Sequence, residues 1–204
     1  MSPPHTIDSL ERLQSLFGPV GDASIRKEVS VLHPVYQRWI AQSPFAVLAT
    51  SGPGGLDASP RGDPAGFAVV HDERTLLLPE RRGNNRIDSL RNIVADPRVA
   101  LLFLIPGVGE TLRVNGRARI SVDPALLERT AMQGKPPQCV LVVAVETVFF
   151  QCARAIKRSA LWSGASPSSD VPTAGEMLQA LTDAAIDGAQ YDRELPARQK
   201  NTLY

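Results

Sequence analysis

The sequence has few of the residues from which disulfide frameworks, metal sites and aromatic cores are built. Its 204 residues include two cysteines and three histidines, and aromatic residues make up only 5% of the chain. The cysteines lie in or beside one strand-like segment, which favours reduced thiols and a cytoplasmic protein over a disulfide-stapled secreted domain. The histidines are isolated, without HxxxH or cysteine-paired spacing, so no metal site is expected.

Charge of one sign and long apolar runs are also scarce. The formal net charge is +1 at pH 7, so no global field favours nucleic acid or an anionic membrane. The longest apolar runs, residues 99–105 and 140–145, are far shorter than the ~20 residues that span a bilayer. Residues 1–10 lack the basic patch and apolar stretch of a signal peptide. We expect neither a nucleic-acid nor a membrane partner.

Glycine and proline are plentiful, with 15 and 17 residues, and they predict many short elements joined by turns. Apolar runs and alternation predict strands at 45–50, 56–62, 66–70, 75–79, 99–105, 111–122 and 140–151. Helical spacing predicts helices at 6–17 (from Thr6 to a stop at Gly18), from Pro34 to 42, at 86–95, from Pro124 with Asp123 as its cap, and at 153–162. Six or seven short strands with peripheral helices predict an α+β domain built around a small antiparallel barrel.

The ends of the chain differ from this central part. Residues 1–32 are predicted to be a helical extension, 33–163 the barrel, and 164–204 an acidic C-terminal helix and tail. Residues 164–172 have the composition of a loop or linker. Between residues 170 and 194 six acidic residues stand against one base, and we predict a solvated helix followed by a mobile end.

The densest cluster of polar residues is the segment 79–91, between a strand and a helix start. Four arginines stand against two acids there, Gly83 allows close backbone approach, and Asn84 and Asn85 add amide donors. The segment is equally compatible with an anion site and with a solvated basic turn. It is not a Walker loop, because no Gly-Lys-Ser/Thr follows.

Two further clusters have plainer interpretations. In the segment 57–63, Pro60 belongs at a sheet edge or a bulge, and Ser59 and Arg61 can face one side together. From spacing alone we favour an edge strand with an Arg–Asp surface pair. In the segment 150–162, Arg154, Lys157 and Arg158 form a basic helical face that is typically solvated, and a thiolate nucleophile at Cys152 is not expected.

Familiar catalytic motifs do not occur in the chain. Gly107 and Gly109 lack the third glycine of a dinucleotide-binding turn and precede a strand, and there is no Gly-x-Ser-x-Gly elbow. What is left is a phosphate-like anion site on a small barrel, with no assigned acid, base or nucleophile. Such a site indicates that a cofactor carries the chemistry.

The run at 82–107, RGNNRIDSLRNIVADPRVALLFLIPG, resembles the FMN-binding split-barrel proteins of the pyridoxamine 5′-phosphate oxidase-like superfamily. The segment 111–118 is similar to the next strand of that family, and 45–50 with 59–63 is similar to its opening pair of strands. The resemblance spans roughly residues 33 to 163. It implies an antiparallel split β-barrel that forms a homodimer with FMN at the interface.

Carried over by residue, the resemblance implies three groups of cofactor-binding side chains. The isoalloxazine edge would be lined by Ser59, Pro60, Arg61 and Gly62. The phosphate and ribityl chain would be held by Arg81, Arg82, Asn85, Arg86 and Ser89. The residues near the partner's side of the site would be Gln151, Arg154, Lys157 and Trp162.

Two differences from the family bear on the expected cofactor contacts and on the expected substrate. Similar proteins often carry a lysine in place of Arg154 and a histidine in place of Gln151. The tail at 189–204 has no histidine for the Arg/His substrate clamp of a true pyridoxamine phosphate oxidase, so we do not expect that substrate.

The resulting hypothesis is a homodimeric FMN-dependent oxidoreductase of a small organic molecule. The same barrel using a deazaflavin or haem is one alternative, although the arginine-rich turn favours FMN and no histidine is suited to ligate haem. A non-catalytic flavin-binding or regulatory module is the other.

Overall fold

Seven antiparallel strands form one sheet in the computed structural model, which describes residues 5–164, 166, 168 and 170–202. The strands are β1 (Phe45–Gly52), β2 (Gly55–Gly62), β3 (Val69–Asp72), β4 (Thr75–Glu80), β5 (Arg98–Leu104), β6 (Thr111–Ser121) and β7 (Cys139–Gln151). Their order is β2-β1-β5-β6-β7-β4-β3, which leaves β2 and β3 at the edges. The predicted α+β split barrel with six or seven strands is confirmed.

Eight helices are assigned within these residues: α1 (Leu10–Gln14), α2 (Asp22–Arg26), α3 (Pro34–Gln42), α4 (Asp88–Ala95), α5 (Pro124–Arg129), α6 (Arg154–Arg158), α7 (Ala174–Leu181) and α8 (Gly188–Asn201). The predicted starts at Pro34 and Pro124 are confirmed, and the Asp123 carboxylate accepts from the Ala125 N–H as the predicted cap. In the part of the chain that the structure describes, none of the helices combines the length and apolarity needed to cross a membrane.

The larger of two apolar clusters is built from one face of the strands. Leu48, Leu101, Val114 and Val148 are cross-strand neighbours on β1, β5, β6 and β7, and each is completely buried. Burying one such aliphatic side chain stabilises the fold by about 1.5–3 kcal/mol. This row therefore explains why the apolar runs of the sequence predicted these strands correctly.

Helix α4 crosses the hairpin of β1 and β2 and is held there by a polar contact. Its buried Asn92 Nδ2 donates to Thr50 Oγ1 at 3.1 Å. Gly52 leaves the room for this contact, because a side chain at that position would collide with Asn92. The helix begins at Asp88 rather than at the predicted residue 86, since Ile87 has a left-handed backbone with φ of 53°.

The N-terminal segment differs from the predicted helix at 6–17. Helix α1 has only five residues and is capped by Ser9, whose hydroxyl accepts from the Arg12 N–H at 3.2 Å; Thr6 is not the cap. The apolar side chains that suggested a longer helix, Ile7, Leu10, Leu13 and Phe17, are 39–71% exposed. A short helix without a packed face has little to extend it. Helix α2 was not predicted.

The C-terminal segment contains two helices where one solvated helix was predicted. Helices α7 and α8 cross at Gly175 and Gly188, where a Cβ on either residue would collide with the backbone of the other. The Asp192 carboxylate accepts from the Gly175 N–H at 2.7 Å. The predicted loop at 164–172 is only partly covered, because residues 165, 167 and 169 lie outside the described residues, as do 1–4, 203 and 204 of the two terminal segments.

Two other elements differ from their predicted bounds by more than two residues. The strand predicted at 66–70 is β3 at 69–72, because Gly66 has φ of 89° and Phe67 packs into the core before the strand starts. The helix predicted at 153–162 is the five-residue α6. Ala160, with φ of 50°, stands where the helix would have continued.

Candidate functional site

A cleft of about 570 Å³ opens between the edge strand β2, the end of β4 and the loop that leads into α4. Nine of the thirteen residues predicted to bind a cofactor line it: Ser59, Pro60, Arg61, Gly62, Arg81, Arg82, Asn85, Arg86 and Ser89. Depressions of similar volume lie on the α7–α8 hairpin and beside α5. The described residues that line those two include none of the predicted site residues.

Strand β2 supplies one side of the cleft, because its side chains alternate between two faces. Asp57, Ser59 and Arg61 are half-buried and point into the cleft, whereas Pro60 between them is exposed. This confirms that Ser59 and Arg61 share a face. Pro60 is tolerated because β2 is an edge strand, where a missing N–H costs no ladder hydrogen bond.

The guanidinium of Arg61 is bound from several sides. Its Nε donates to Glu80 Oε2 at 3.1 Å, and its Nη1 donates to Ser59 Oγ at 2.6 Å and to the Pro60 carbonyl at 2.9 Å. Its Nη2 donates to Ser89 Oγ at 3.4 Å. The Ser89 hydroxyl in turn donates to Asp57 Oδ2 at 2.5 Å. We call Asp57, Ser59, Arg61, Glu80 and Ser89 the floor of the cleft.

The partner of Arg61 corrects the sequence interpretation, which placed Arg61 in a surface pair with an aspartate of its own strand. The observed partner is Glu80, and the two side chains are only 13% and 18% exposed. Burial raises the pKa of Glu80, and the neighbouring Arg61 opposes that rise. The pair is therefore part of the floor of the cleft, with a carboxylate that is harder to ionise than a solvated one.

Arg81 is bound by residues outside the cleft. Its Nε donates to Asp63 Oδ2 at 2.8 Å and its Nη2 donates to the Thr130 carbonyl at 2.9 Å. The Asp63 side chain is 2% exposed. These contacts attach the start of the loop to the end of β2 and to the end of α5.

The loop from Arg82 to Arg86 forms an exposed rim around the mouth of the cleft. Arg86 Nε donates to Asp88 Oδ2 at 2.8 Å, and the Arg86 N–H donates to Asn84 Oδ1 at 3.1 Å. Among the described residues, the Arg82 guanidinium has neither an ion-pair nor a hydrogen-bond partner. We call Arg82, Gly83, Asn84, Asn85 and Arg86 the rim.

Rim and floor differ in charge. The floor holds two carboxylates around one guanidinium, whereas the rim contains two arginines and no acid of its own. A Cβ added at Gly83 would meet no atom within 4 Å, so the rim backbone is open to a ligand. The positive surplus that the sequence showed in this segment is thus concentrated at the mouth of the cleft.

The other four predicted residues, Gln151, Arg154, Lys157 and Trp162, lie elsewhere. They lie at or beyond the far end of β7, whose 13 residues extend away from the cleft and at ~3.3 Å per residue have a length of about 40 Å along the strand. Gln151 Oε1 accepts from Arg113 Nη2 at 3.4 Å, and Trp162 Nε1 donates to the Val108 carbonyl at 2.8 Å. None of these four residues lines the cleft of its own chain.

The two cysteine thiols differ in position and environment. Cys139 and Cys152 are free and stand at opposite ends of β7, too far apart to bridge each other within one chain. Burial raises the pKa of Cys139, whereas a backbone hydrogen bond from Arg154 lowers the pKa of the exposed Cys152. Within the described part of the chain, no three or more histidine, cysteine or acidic residues group together in a way that could hold a metal ion.

Sequence reasoning missed the structural roles of Asp57, Glu80 and Gln138, all of which line the cleft. Glu80 was counted only as a charge in a basic segment. The available signal was its position directly after the buried run of β4, since a charged residue that ends a buried strand needs a partner. Nothing in the sequence pointed to Gln138, which reaches the cleft because its N–H donates to the Glu80 carbonyl at 3.2 Å.

The sequence profile of the family described as "Pyridoxamine 5'-phosphate oxidase" matches residues 32–152, a segment that includes all seven strands and the whole cleft. No curated protein matches the chain. Three solved structures illustrate the likeness. HupZ from group A Streptococcus is 21% identical over 65% of this chain and 95% of its own, with a TM-score of 0.46. A protein of the pyridoxinephosphate oxidase family from Clostridium acetobutylicum, related to general stress protein 26, is 16% identical over 56% and 84%, with a TM-score of 0.43. The FAD binding protein from Mycobacterium smegmatis is 16% identical over 60% and 97%, with a TM-score of 0.41.

Proposed function

The chain belongs to the pyridoxamine 5'-phosphate oxidase family, and from that premise we propose that it is a homodimeric FMN-binding oxidoreductase of a small organic molecule. The observation that supports this proposal is the division of the cleft into a basic, exposed rim and a half-buried, hydrogen-bonding floor. FMN has the matching division into a phosphate and a planar ring. The volume of about 570 Å³ lies within the usual range for cofactor sites.

The rim provides the donors that a phosphate requires. Arg82 has its whole guanidinium free of described partners, and Arg86 uses Nε on Asp88 while its two terminal nitrogens make no described hydrogen bond. Arginine binds phosphate oxygens in a bidentate manner, and Asn85 adds an amide donor. We assign phosphate binding to Arg82, Asn85 and Arg86. Arg81, which the resemblance grouped with them, is assigned to holding the loop in place.

The floor and strand β2 provide the surface for the ring and the ribityl chain. Ser59, Pro60, Arg61 and Gly62 present alternating polar and backbone groups along one edge of the cleft. Ser89, in the first turn of α4, stands between this edge and the rim. When bound, FMN supplies reversible hydride transfer, so the chain needs to bind, orient and shield rather than to provide a nucleophile.

A second copy of the chain would supply the remaining predicted residues. Gln151, Arg154, Lys157 and Trp162 are separated from the cleft by the length of β7, so one chain cannot bring them to its own site. A two-fold dimer in which the far end of one β7 meets the cleft of the other would unite the two groups. The proposed setting is the cytoplasm, where free thiols such as those of Cys139 and Cys152 persist.

The first test is an absorbance spectrum of the purified protein before and after addition of FMN and desalting. Flavin bands that persist after desalting are expected, and FAD and a deazaflavin are the matched competitors. Retention of either competitor in preference to FMN would contradict the cofactor assignment. Haem is disfavoured because the described residues lining the cleft include no histidine, cysteine, methionine or tyrosine to ligate its iron.

A second test separates an oxidoreductase from a non-catalytic flavin module. Reduced nicotinamide cofactors and small quinones or aldehydes are added to the flavin-loaded protein under anaerobic conditions. Bleaching and return of the flavin bands at rates above those of free FMN are expected. A bound flavin that exchanges no electrons faster than free FMN would support the non-catalytic module instead.

A further inference from the structure

We propose that Glu80 is a positioning residue, whose carboxylate fixes the Arg61 guanidinium on the floor of the cleft in the orientation in which it meets the flavin ring. This inference rests on the proposed function, because it assumes that a flavin occupies the cleft. It adds a role for a residue that neither the sequence motifs nor the family resemblance assigned.

The geometry around Arg61 singles out Glu80 as the anchor. Among the described residues, Glu80 is the only acidic group in an ion pair with Arg61, at 3.1 Å from Nε. The other acceptors are the neutral Ser59 and Ser89 hydroxyls and the Pro60 carbonyl. A bond to Nε fixes the guanidinium plane, while the terminal nitrogens are left to meet acceptors around the rest of that plane.

Glu80 is itself held rigidly. It is the last residue of β4 and pairs with Cys139 of β7, and its carbonyl accepts from the Gln138 N–H. Its side chain is 18% exposed, and the Arg61 side chain is 13% exposed. An anchor on a sheet strand holds a long side chain more accurately than an anchor on a loop.

The chain offers a matched control in the pair between Glu73 and Arg74. That pair also joins a glutamate to an arginine Nε, but at 3.7 Å and with side chains 68% and 63% exposed. Exposed pairs of this kind contribute little. Glu73→Gln therefore makes the same chemical change without affecting the cleft.

The test measures FMN affinity by quenching of flavin fluorescence for the wild type, Glu80→Gln and Glu73→Gln. Freeing a rotamer-rich side chain at a binding site weakens affinity, so Glu80→Gln is expected to raise the dissociation constant by about threefold to tenfold. Glu73→Gln should leave it unchanged. In an Arg61→Gln background, Glu80→Gln should have no further effect, because Glu80 acts through Arg61. Additive effects of the two substitutions would overturn the proposal.

A second readout does not depend on FMN. In the proton–nitrogen NMR spectrum of the full-length protein before FMN is added, the Arg61 Nε–H should exchange slowly with water. It should remain so in Glu73→Gln and be lost in Glu80→Gln. An Arg61 signal that Glu80→Gln does not alter would overturn the positioning role even if FMN binds. If the signals behave as expected and the wild type does not bind FMN, the proposed function fails instead, and the role toward the flavin fails with it.

A second substitution of Glu80 separates the position of the carboxylate from its charge. Glu80→Asp keeps the charge but draws it back from Nε by one methylene, so it should raise the FMN dissociation constant as Glu80→Gln does. Full affinity in Glu80→Asp would show that only the charge matters, and would overturn positioning. Circular dichroism melting verifies that each variant is folded.

Discussion

The Nε atom of Arg81 donates a hydrogen bond to Oδ2 of Asp63 at 2.8 Å, and the Asp63 side chain is only 2% exposed. Asp63 directly follows β2 and Arg81 directly follows β4, so the pair joins the ends of the two strands that flank the cleft. Its neighbour in sequence, Arg82, has no such partner among the described residues. Two adjacent arginines therefore have different roles, one in the fold and one at the mouth of the cleft.

This difference predicts that alanine substitutions at the two positions affect stability to different extents. Arg81→Ala leaves the buried Asp63 carboxylate without this ion-pair partner and should lower the free energy of unfolding by about 3–5 kcal/mol. Arg82→Ala should change it by no more than about 0.5 kcal/mol, since Arg82 is exposed. Urea denaturation measures both. Equal stabilities for the two variants would show that the Arg81–Asp63 pair contributes nothing to the fold.

The rim assignment predicts a loss of FMN affinity without a loss of stability. Arg82→Ala and Arg86→Ala each remove a charge-assisted contact to phosphate, so each should weaken FMN binding by about 1.5–3 kcal/mol. Arg91→Ala is the control, because Arg91 is an exposed arginine of α4 that does not line the cleft. Riboflavin, which has no phosphate, should bind the wild type and the two rim variants equally. Unchanged FMN affinity in both rim variants would show that the rim does not bind the phosphate of FMN.

The left-handed backbone at Ile87 predicts that a glycine substitution there stabilises the fold and weakens FMN binding. Its backbone is left-handed, with φ of 53°, a conformation that costs a β-branched residue about 1–2 kcal/mol. Ile87→Gly should raise the free energy of unfolding by up to about 1 kcal/mol, the rest being offset by the entropy of glycine in the unfolded chain. It should weaken FMN binding because the rim is less well fixed.

Val94→Gly is the matched control for that prediction. Val94 lies in α4 with an exposed side chain, so the same kind of substitution there should destabilise by about 0.5–1 kcal/mol. Denaturant titrations of both variants give the comparison. Destabilisation of similar size at both positions would show that no backbone strain is stored at Ile87.

The raised pKa of Glu80 predicts that the stability of the protein depends on pH. Burial raises its folded pKa above the ordinary value of 4.5. The folded state therefore binds a proton more tightly than the unfolded state, so this contribution is fully present below about pH 4 and is lost as the pH rises through the folded pKa. Arg61 opposes this rise by lowering the pKa of the Glu80 carboxyl, and Glu80 in turn helps to raise the pKa of the Cys139 thiol.

The measurement is the free energy of unfolding of the wild type and Glu80→Gln between pH 4 and 7. The stability of the wild type relative to the variant should fall as the pH rises through this range. A relative stability that increases with pH would mean that the pair with Arg61 outweighs burial, and that the folded pKa of Glu80 is lowered.

Much of the fold could be predicted from local patterns. The apolar runs of β1 and β5 and the partial alternation of β6 predict the strands that carry Leu48, Leu101 and Val114, and the cap at Asp123 is predicted from the Asp-Pro pair that starts the helix. The contacts that were missed join residues distant in sequence. Arg61 on β2 meets Glu80 on β4 although these two strands are not neighbours in the sheet, and α7 meets α8 through two glycines, which give no apolar periodicity in the sequence. In the cleft, composition indicated which residue types take part, whereas contacts at the ends of β2 and β4, which are not paired with each other, determined which charges neutralise each other.

The proposed dimer predicts complementation between two defective variants. One variant carries Arg82→Ala with Arg86→Ala on the rim, and the other carries Arg154→Ala with Lys157→Ala beyond the far end of β7; all four side chains are exposed. If each site takes its rim from one chain and its far-end residues from the other, each variant alone binds FMN weakly at both sites of its dimer. A heterodimer of the two then has one site with both groups intact and one site that lacks both.

Unfolding and refolding the two variants together in equal amounts should give about one half heterodimers, and so about one quarter of all sites restored to wild-type affinity. Stoichiometric FMN titration measures that fraction, and sedimentation verifies that the species is a dimer. Arg158→Ala replaces the far-end variant in the control mixture, since Arg158 is exposed but is not assigned to the site. Because that control chain retains its own rim and far-end residues, its homodimers keep full affinity. No recovery in the mixture of the two defective variants would place both residue groups of a site on the same chain. Full affinity in the far-end variant alone would remove the far-end residues from the site altogether.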